Sequence, residues 1–468
     1  MAFSGLTFQR AALRAVCALL VLLALSRAAV PPADLAGTMP EDYLPGLKSI
    51  LEAAFQRSPQ LIAADFDRTL AEVRIMSADA GRLPNVGGNL NYANNQTAIS
   101  SNTSSQTRDN GLFYNIGVTQ PLFHWRALQN QSALARLNLL ISQKSYERAT
   151  RDLGVILRKA YLALVVEKAR LRAAQDVLQL MRNEIPVTAE KKERGTVSSA
   201  TLEGDKLRVR EVQLDVDRVA TEFDANRRRF ARLAGLADLP EAAVPDEIPA
   251  PRFSPELAAV LTATALRDGA KSTLEWEIAD MRVRDAMLRI SSEKVRLYPK
   301  FFANAGYSLE NSTNINGNAV NQQGIQRRTV SVYAQWSIFD GFATRAAVRE
   351  ALVSKRVQER LQQAEIDGIL QNIQIFERYL KLDAEQLDLS AIRHGMAIES
   401  RKVIAREFEF GNVPKGDLDR AQGAILQAEA KQQESRATLL GRWSEFVALA
   451  SADPALHNPS FRHVREKK

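Results

Sequence analysis

The 468-residue sequence predicts an α+β membrane protein in which pairs of transmembrane β-strands alternate with very long amphipathic helices. Three observations lead to this prediction. The chain repeats itself at one offset, and its strand segments alternate between apolar and polar side chains over the length of a tilted membrane strand. Its longest helical segments also keep the apolar spacing of a coiled coil.

The internal repeat determines how the chain is organised. The stretch RGTVSSATLEGDKLR at 194–208 superposes on FGNVPKGDLDRAQGA at 410–424, an offset of 216 residues. The same offset relates Phe123 to Phe339 at the ends of two strand segments. One offset that is kept through strand, helix and turn indicates that the chain consists of two tandem structural repeats.

The duplication predicts a simple order of segments. A signal peptide at 1–28 is followed by repeat 1 at 29–240, a linker at 241–255, repeat 2 at 256–452 and a tail at 453–468. The linker region is rich in proline and acidic residues, which is typical of a connection between packed segments.

Each repeat is expected to contain the same elements. A helix of about 40 residues leads into a β-hairpin with a polar loop, and the return strand runs into a helix of about 70 residues. A tight turn near Gly195 or Gly411 reverses the chain into a last helix of about 40 residues. Pro186 predicts either a kink in the first long helix or a longer turn region. The predicted first helices and hairpins are 43–82 and 84–122 in repeat 1, and 256–297 and 299–340 in repeat 2.

The N-terminus has the pattern of a secretory signal. Basic residues precede an apolar run at 15–25, and Ser26 and Ala28 suit the −3 and −1 positions of a cleavage site. The alternative is an N-terminal membrane anchor, although a run of about 11 residues is too short to span a bilayer. Cys17 is the only cysteine and lies in this run, so the exported chain is expected to have no disulfide and no cysteine metal site.

The hairpin segments have the side-chain pattern of membrane strands. In the first strand, Val86, Leu90 and Tyr92 fall on one face and asparagine and glycine on the other, and 329–339 also alternates. Each strand is expected to be about 9–12 residues long, as a tilted transmembrane strand requires. Alternation alone fits two soluble hairpins packed on another element equally well.

The long helices favour the membrane alternative. A helix of about 70 residues is on the order of 100 Å long, which is more than a globular domain can enclose. Its apolar positions keep a coiled-coil spacing, for example from Leu153 to Ile185. Four strands per chain cannot close a barrel in lipid, so several chains must contribute, and a dimer, a trimer or a tetramer fits this arithmetic.

Other classes of function find little support in the sequence. The histidines at 124, 394, 457 and 463 are scattered, and no nucleotide loop or nucleophile motif is present, so neither an enzyme nor a cofactor is predicted. Mixed charges leave no basic stripe for nucleic acid. A soluble periplasmic coiled-coil scaffold or adaptor is the alternative function, but it leaves the alternating strands unexplained.

The order of these elements resembles the TolC family of outer-membrane efflux proteins. The resemblance is carried by the strand-to-helix junctions TQPLFHWRALQNQ at 119–131 and WSIFDGFATRAAV at 336–348, and by the two glycine turns. It implies a homotrimer whose twelve strands, four per chain, form one outer-membrane β-barrel in contact with lipid, continued by a periplasmic α-helical coiled-coil barrel. It also implies a channel of a tripartite efflux or type I secretion system, docked through a periplasmic adaptor (a membrane fusion protein) to an inner-membrane pump of the ABC or RND type.

The resemblance assigns the two turns a docking role. In the family, the adaptor's helical hairpin meets the tunnel at the turns of the periplasmic tip. The alternative is that they are ordinary turns between helices, with no partner. The matching residues are Gly195, Thr196, Val197, Gly411, Asn412 and Val413.

The resemblance also implies an acidic entrance just past the second turn. Asp417 matches the first family aspartate, whereas Asp419 falls one residue short of the second, where this chain has Arg420. The equivalent position in repeat 1 is Thr201. Three copies of Asp417 would favour cations at a constriction. The alternative is a solvated aspartate at a helix start, stabilised by the helix dipole.

Overall fold

A computed structural model describes residues 38–99, 105–316 and 319–454. The predicted signal peptide, most of the predicted tail and the middle of the first hairpin loop lie outside the described residues. No helix in the described ranges is both long and apolar enough to cross a membrane. The elements are α1 (Pro40–Tyr43), α2 (Pro45–Arg57), α3 (Pro59–Ala80), β1 (Asn85–Ile99), β2 (Ser105–Phe123), α4 (Ala127–Glu193), α5 (Ser199–Leu233), a 3-10 turn (Glu241–Ala243), α6 (Pro255–Asp268), α7 (Leu274–Lys294), β3 (Lys300–Asn316), β4 (Ala319–Gln335), α8 (Ala343–Glu409) and α9 (Lys415–Leu449).

The chain divides into two compact units, and neither of them is a predicted repeat. Each unit combines equivalent segments from both halves of the sequence. The helical unit comprises the described parts of Met1–Gln60, Thr150–Thr273 and Ile369–Lys468, and the strand unit comprises Leu61–Ala149 and Leu274–Gly368.

The strand unit contains one antiparallel sheet in the order β1-β2-β3-β4. Its register pairs Val86 with Val118 and Gly117 with Gly306, with an irregularity near Pro121. The ladder extends into the predicted polar loops from both sides. The strands therefore have 15, 19, 17 and 17 residues, and the expected length of about 9–12 was wrong. Polar side chains mark where a hairpin meets water, but backbone pairing continues past that point.

The return strand of repeat 2 ends earlier than predicted. The expected strand continues to Phe339, whereas β4 ends at Gln335, which pairs with Lys300. The preceding residue of the partner strand is Pro299, which has no N–H to extend the ladder. The segment after Gln335 therefore leaves the sheet.

The predicted first helices are each interrupted. Ser58 is extended, with φ −62° and ψ 129°, between α2 and α3. Pro59 disfavours helical backbone at the residue before it, which explains this break. In repeat 2, Gly269 and Ala270 have φ of 61° and 57° and separate α6 from α7. Each of these first helices was therefore predicted as one element where the structure has two.

The long and final helices match closely between the two halves. Helices α4 and α8 each have 67 residues and begin 216 positions apart, and α5 and α9 each have 35 residues and begin at the same separation. Pro186 lies inside α4, which continues to Glu193. Proline at this position therefore does not end the helix.

Within the helical unit, the long helices pack side by side in the order α5-α4-α9-α8. The Tyr161 and Phe230 rings, 5.6 Å apart, join α4 to α5. Lys159 pairs with Glu445 of α9 at 2.5 Å. Apolar side chains of α8 and α9 form the main core between them, and this cluster includes Ile373, Leu380, Leu439, Trp443 and Phe446.

A buried arginine joins the beginning and the end of the described chain. The Arg158 side chain is completely buried and donates hydrogen bonds to both carboxylate oxygens of Glu41 and of Asp453, at 2.6 to 3.0 Å. These carboxylates hold the pKa of Arg158 above its ordinary value against the opposing effect of burial. Asp453, predicted to begin the tail, is itself fully buried. Removing one partner of such a buried pair typically costs about 3–5 kcal/mol.

The predicted linker is fixed to the long helices. Lys168 of α4 donates to the Val244 carbonyl at 2.5 Å and pairs with Asp246 at 2.8 Å. From α9, Arg436 donates to the Ile248 carbonyl at 2.7 Å. The linker therefore bridges helices from both halves of the sequence.

Candidate functional site

Both predicted turns are closed by the same backbone hydrogen bonds. In the first, the N–H groups of Gly195 and Thr196 donate to the carbonyls of Lys192 and Lys191, both at 2.9 Å. This is a Schellman motif, which requires a left-handed residue after the helix. Gly195 supplies it with φ of 77°.

The second turn has the same geometry 216 residues later. Gly411 has φ of 77°, and the N–H groups of Gly411 and Asn412 donate to Phe408 and Glu407 at 2.9 and 2.8 Å. The Asn412 side chain also donates to the Glu407 carboxylate at 2.7 Å. The exposed tip residues therefore belong to short turns that are closed by backbone hydrogen bonds.

The helices that follow the turns begin differently. The Ser198 side chain caps α5 by accepting from the Thr201 N–H at 3.1 Å. Pro414 occupies the equivalent position before α9 and provides no side-chain cap. The two tips thus share a backbone shape but present different side chains. Val197 and Val413 are half-buried in both.

The predicted entrance carboxylates have different surroundings. Asp417 lies in the first turn of α9, with its side chain one-third exposed, and pairs with Arg420 at 2.6 Å. For Asp419, the oxygen Oδ2 is buried and has no hydrogen-bond partner among the described residues. Since Arg420 neutralises part of the charge of Asp417 locally, the two carboxylates are not equivalent.

A third carboxylate near this position was missed. A Cβ added to Gly416 would stand 2.9 Å from Oε1 of Glu184, so the carboxylate of Glu184 in α4 lies beside the start of α9. Glu184 comes from the other half of the sequence, more than 200 residues away, and no sequence motif links the two positions. The structure brings it beside the predicted entrance residues.

The strand unit carries an exposed apolar face. Register places Val86, Leu90, Ile116 and Val330 on one side of the sheet, and these side chains are 53–88% exposed. Asparagine, glycine, serine and threonine line the other side, including Asn115, Gly117, Asn304, Gly306 and Ser308. Exposed apolar side chains that cluster on one face of a sheet are unfavourable in water.

The strand-to-helix junctions are held by two tryptophans. The Trp125 indole N–H donates to the Pro299 carbonyl at 2.8 Å, and that of Trp336 donates to the Leu297 carbonyl at 3.0 Å. Consecutive left-handed residues precede each long helix, namely Trp125 and Arg126, and Gly341 and Phe342. Aromatic side chains at strand ends are typical of a membrane–water interface.

Comparison with known proteins gives a family match over part of the chain and a similar fold. A family model described as outer membrane efflux protein matches residues 50–236. No curated protein matches the chain in sequence.

Several solved outer membrane channels are similar to the chain in structure. The Campylobacter jejuni CmeC channel has a TM-score of 0.72 at 12% identity, over 89% of this chain and 88% of that one. For VceC of Vibrio cholerae the TM-score is 0.66 at 13% identity, over 88% and 99%. For the open state of the Neisseria gonorrhoeae MtrE channel it is 0.64 at 14% identity, over 90% and 93%. At these identities the likeness concerns the fold.

Proposed function

We propose that this chain acts as an outer-membrane channel, since its residues 50–236 match the model of the outer membrane efflux protein family. It would be a passive conduit for substrates that an inner-membrane pump delivers through a periplasmic adaptor. The observation that carries the proposal is the sheet, with its exposed apolar face and polar opposite face. This division suits a wall with lipid on one side and an aqueous lumen on the other.

The proposed assembly is a homotrimer. Within the described residues, β1 and β4 each have a neighbouring strand on one side only. Unpaired strand edges are not tolerated in hydrocarbon, so the sheet of one chain must join those of others. Three copies give the twelve-stranded barrel that the resemblance to the TolC family implies, with the helices as the wall of a periplasmic tunnel.

The alternative function, a soluble periplasmic scaffold or adaptor, accounts for the helices alone. It would leave Val86, Leu90, Val330 and Val332, each 68–88% exposed, in contact with water. The sheet therefore favours the channel.

A matched pair of substitutions tests the proposed membrane face. Val332 and Ser331 are neighbours in β4 and point to opposite faces of the sheet. Val332→Arg should prevent stable insertion, because a cation facing lipid near mid-bilayer costs about 2–4 kcal/mol, whereas Ser331→Arg should insert normally. Fractionation of the cell envelope, with extraction by detergent, measures this. Recovery of the unsubstituted protein among soluble periplasmic contents would refute the channel.

The acidic residues at the start of α9 are proposed to narrow the entrance and to attract cations. Support comes from the position of Asp417 and from Glu184, which lies beside Gly416. In a trimer these carboxylates would be repeated three times around the axis. Carboxylate rings of this kind favour cations over anions.

Removing the Asp417 charge should weaken block of the channel by multivalent cations. In planar bilayers, Asp417→Asn should need a higher concentration of a trivalent cation for half-maximal block. Asp215→Asn is the control, because Asp215 forms an equivalent pair with Arg218 in α5, remote from the turn. If the same concentration of the trivalent cation gives half-maximal block of both variants and of the unsubstituted protein, Asp417 has no role at the entrance.

The two tip turns are proposed as the docking site of the adaptor. Their hydrogen-bonded backbone and the exposed side chains of Thr196 and Asn412 support this role. A cysteine introduced by Val197→Cys or Val413→Cys should cross-link to the adaptor in intact cells, and one introduced at Gly204 should not. Cross-linking at Gly204 alone, or at none of the three positions, would contradict docking at the tips.

A further inference from the structure

The polar face of the sheet carries a group of aromatic rings at the end where the strands meet the helices. The rings of Phe302 and Tyr333 are stacked, with centroids 5.3 Å apart and an interplanar angle of 15°. The His124 ring meets the Phe302 ring edge-on, at a centroid distance of 4.8 Å. We call these three residues the aromatic cluster. All of them belong to the strand unit.

The register places the cluster on the polar face. Phe302 and Tyr333 are direct partners across β3 and β4, so their side chains point to the same side of the sheet. Two residues further into each strand, that side carries Asn304 and Ser331. Val332, next to Tyr333, lies on the opposite side and is 69% exposed. The rings therefore occur on a face that is lined mainly by small and polar side chains.

Neither lipid contact nor core packing accounts for these rings. The aromatic girdles of membrane barrels face lipid, whereas Phe302 and Tyr333 face the proposed aqueous lumen. Tyr333 is 43% exposed, so part of its ring is open on that side. The cluster therefore presents aromatic surface to whatever passes through the lumen.

A lysine without an acidic partner on this face lies beside the rings. Lys300 precedes Phe302 by two residues in β3, so both side chains point to the same side, and its partner across the ladder is Gln335. The positive charge of Lys300 also acts on His124. Among the described residues of this face, the nearest acidic residue along β3 is Glu310, ten positions away. The charge of Lys300 is therefore available to a ligand.

An aromatic surface next to an uncompensated cation fits one class of small molecule. A flat aromatic ring can stack against the open part of Tyr333, and a carboxylate attached to that ring can approach the ammonium group of Lys300. A neutral aromatic molecule or an aliphatic anion would use only one of these two features. An organic cation would be repelled by Lys300. The combination therefore favours aromatic organic anions.

We propose that the aromatic cluster and Lys300 form a weak binding site for aromatic organic anions in the lumen, at the end of the sheet that adjoins the helices. The proposal rests on the proposed function, since it names a substrate class for the same channel. In a trimer the site would be repeated three times around the passage. Weak binding suits a conduit, because a substrate must be able both to enter the site and to leave it.

The four side chains have different roles in this site. Phe302 and Tyr333 provide the ring faces, and Lys300 provides the charge. His124 is a positioning residue, because its ring packs edge-on against Phe302. Its Nε2 is buried and has no hydrogen-bond partner among the described residues. That nitrogen is therefore not open to the lumen.

Block of the channel by 1-naphthoate in planar bilayers tests the site. This anion should reduce the current at a lower concentration than cyclohexanecarboxylate, which lacks the aromatic ring, or 1-naphthalenemethanol, which lacks the charge. Phe302→Leu keeps an apolar side chain and removes the ring, so it should raise the half-blocking concentration of 1-naphthoate about three- to tenfold. Lys300→Gln should raise it by a similar factor and abolish the preference for the anion over the alcohol.

Two substitutions on the same face serve as matched controls. Phe113→Leu removes a ring and Arg327→Gln removes a cation, at positions that pair with Glu310 and Ser308, remote from the cluster. Both should leave the half-blocking concentration of 1-naphthoate unchanged. Lys300→Gln removes a charge without removing a packed ring, so it decides the question if Phe302→Leu forms no channels.

Three results would overturn the site and leave the channel proposal intact. They are equal block of Lys300→Gln and the unsubstituted protein, an equally large change in either control, and block by 1-naphthoate that is no stronger than block by its two analogues. Absence of any conductance from the unsubstituted protein would instead contradict the channel proposal, and the site would fail with it.

Discussion

The unpaired backbone groups of the two edge strands determine how the protein has to assemble. Strands β1 and β4 have 15 and 17 residues, and each uses only one side for the ladder within the described residues. Their other N–H and C=O groups need partners wherever water is absent, because an unsatisfied group in hydrocarbon costs several kcal/mol. The exposed apolar face of the same strands indicates such an environment. Closure by further copies meets both requirements.

The helical unit joins the two halves of the chain. Its closed seams lie between α4 and α5, between α4 and α9, and between α9 and α8, so one of them crosses from one half of the sequence to the other. Arg158 strengthens that crossing because it binds Glu41 and Asp453 from the two ends of the described chain. Neither half could form this buried network alone. The two compact units of the chain are therefore shared between the two halves of its sequence.

Much of the architecture could be predicted from the sequence because it depends on periodicity. The alternating strands and the helices of 67 residues follow from apolar spacing, and the left-handed turns follow from Gly195 and Gly411. The break at Ser58 could also have been predicted, since Pro59 follows it. The extra length of the strands could not be predicted, because paired backbone continues through polar residues.

Contacts between distant segments could not be predicted from one sequence. Nothing in its local pattern distinguishes Arg158, which is buried, from the many arginines on the helix surfaces. Similarly, the proximity of Glu184 to Gly416 depends on how α4 and α9 align. Asp417 was found through a family resemblance, and its pairing with Arg420 follows from helical spacing. The surroundings of the proposed entrance residues therefore depend on tertiary packing more than on any motif.

The mass of the particle extracted in detergent shows whether the sheets of several chains join to close one barrel. Native mass spectrometry separates the protein from bound detergent and counts the chains in each particle. We expect three chains per particle, because the two sheet edges of each chain require further copies and the resemblance to the TolC family implies three of them. A particle that contains a single chain, stable and with its sheet intact, would contradict it.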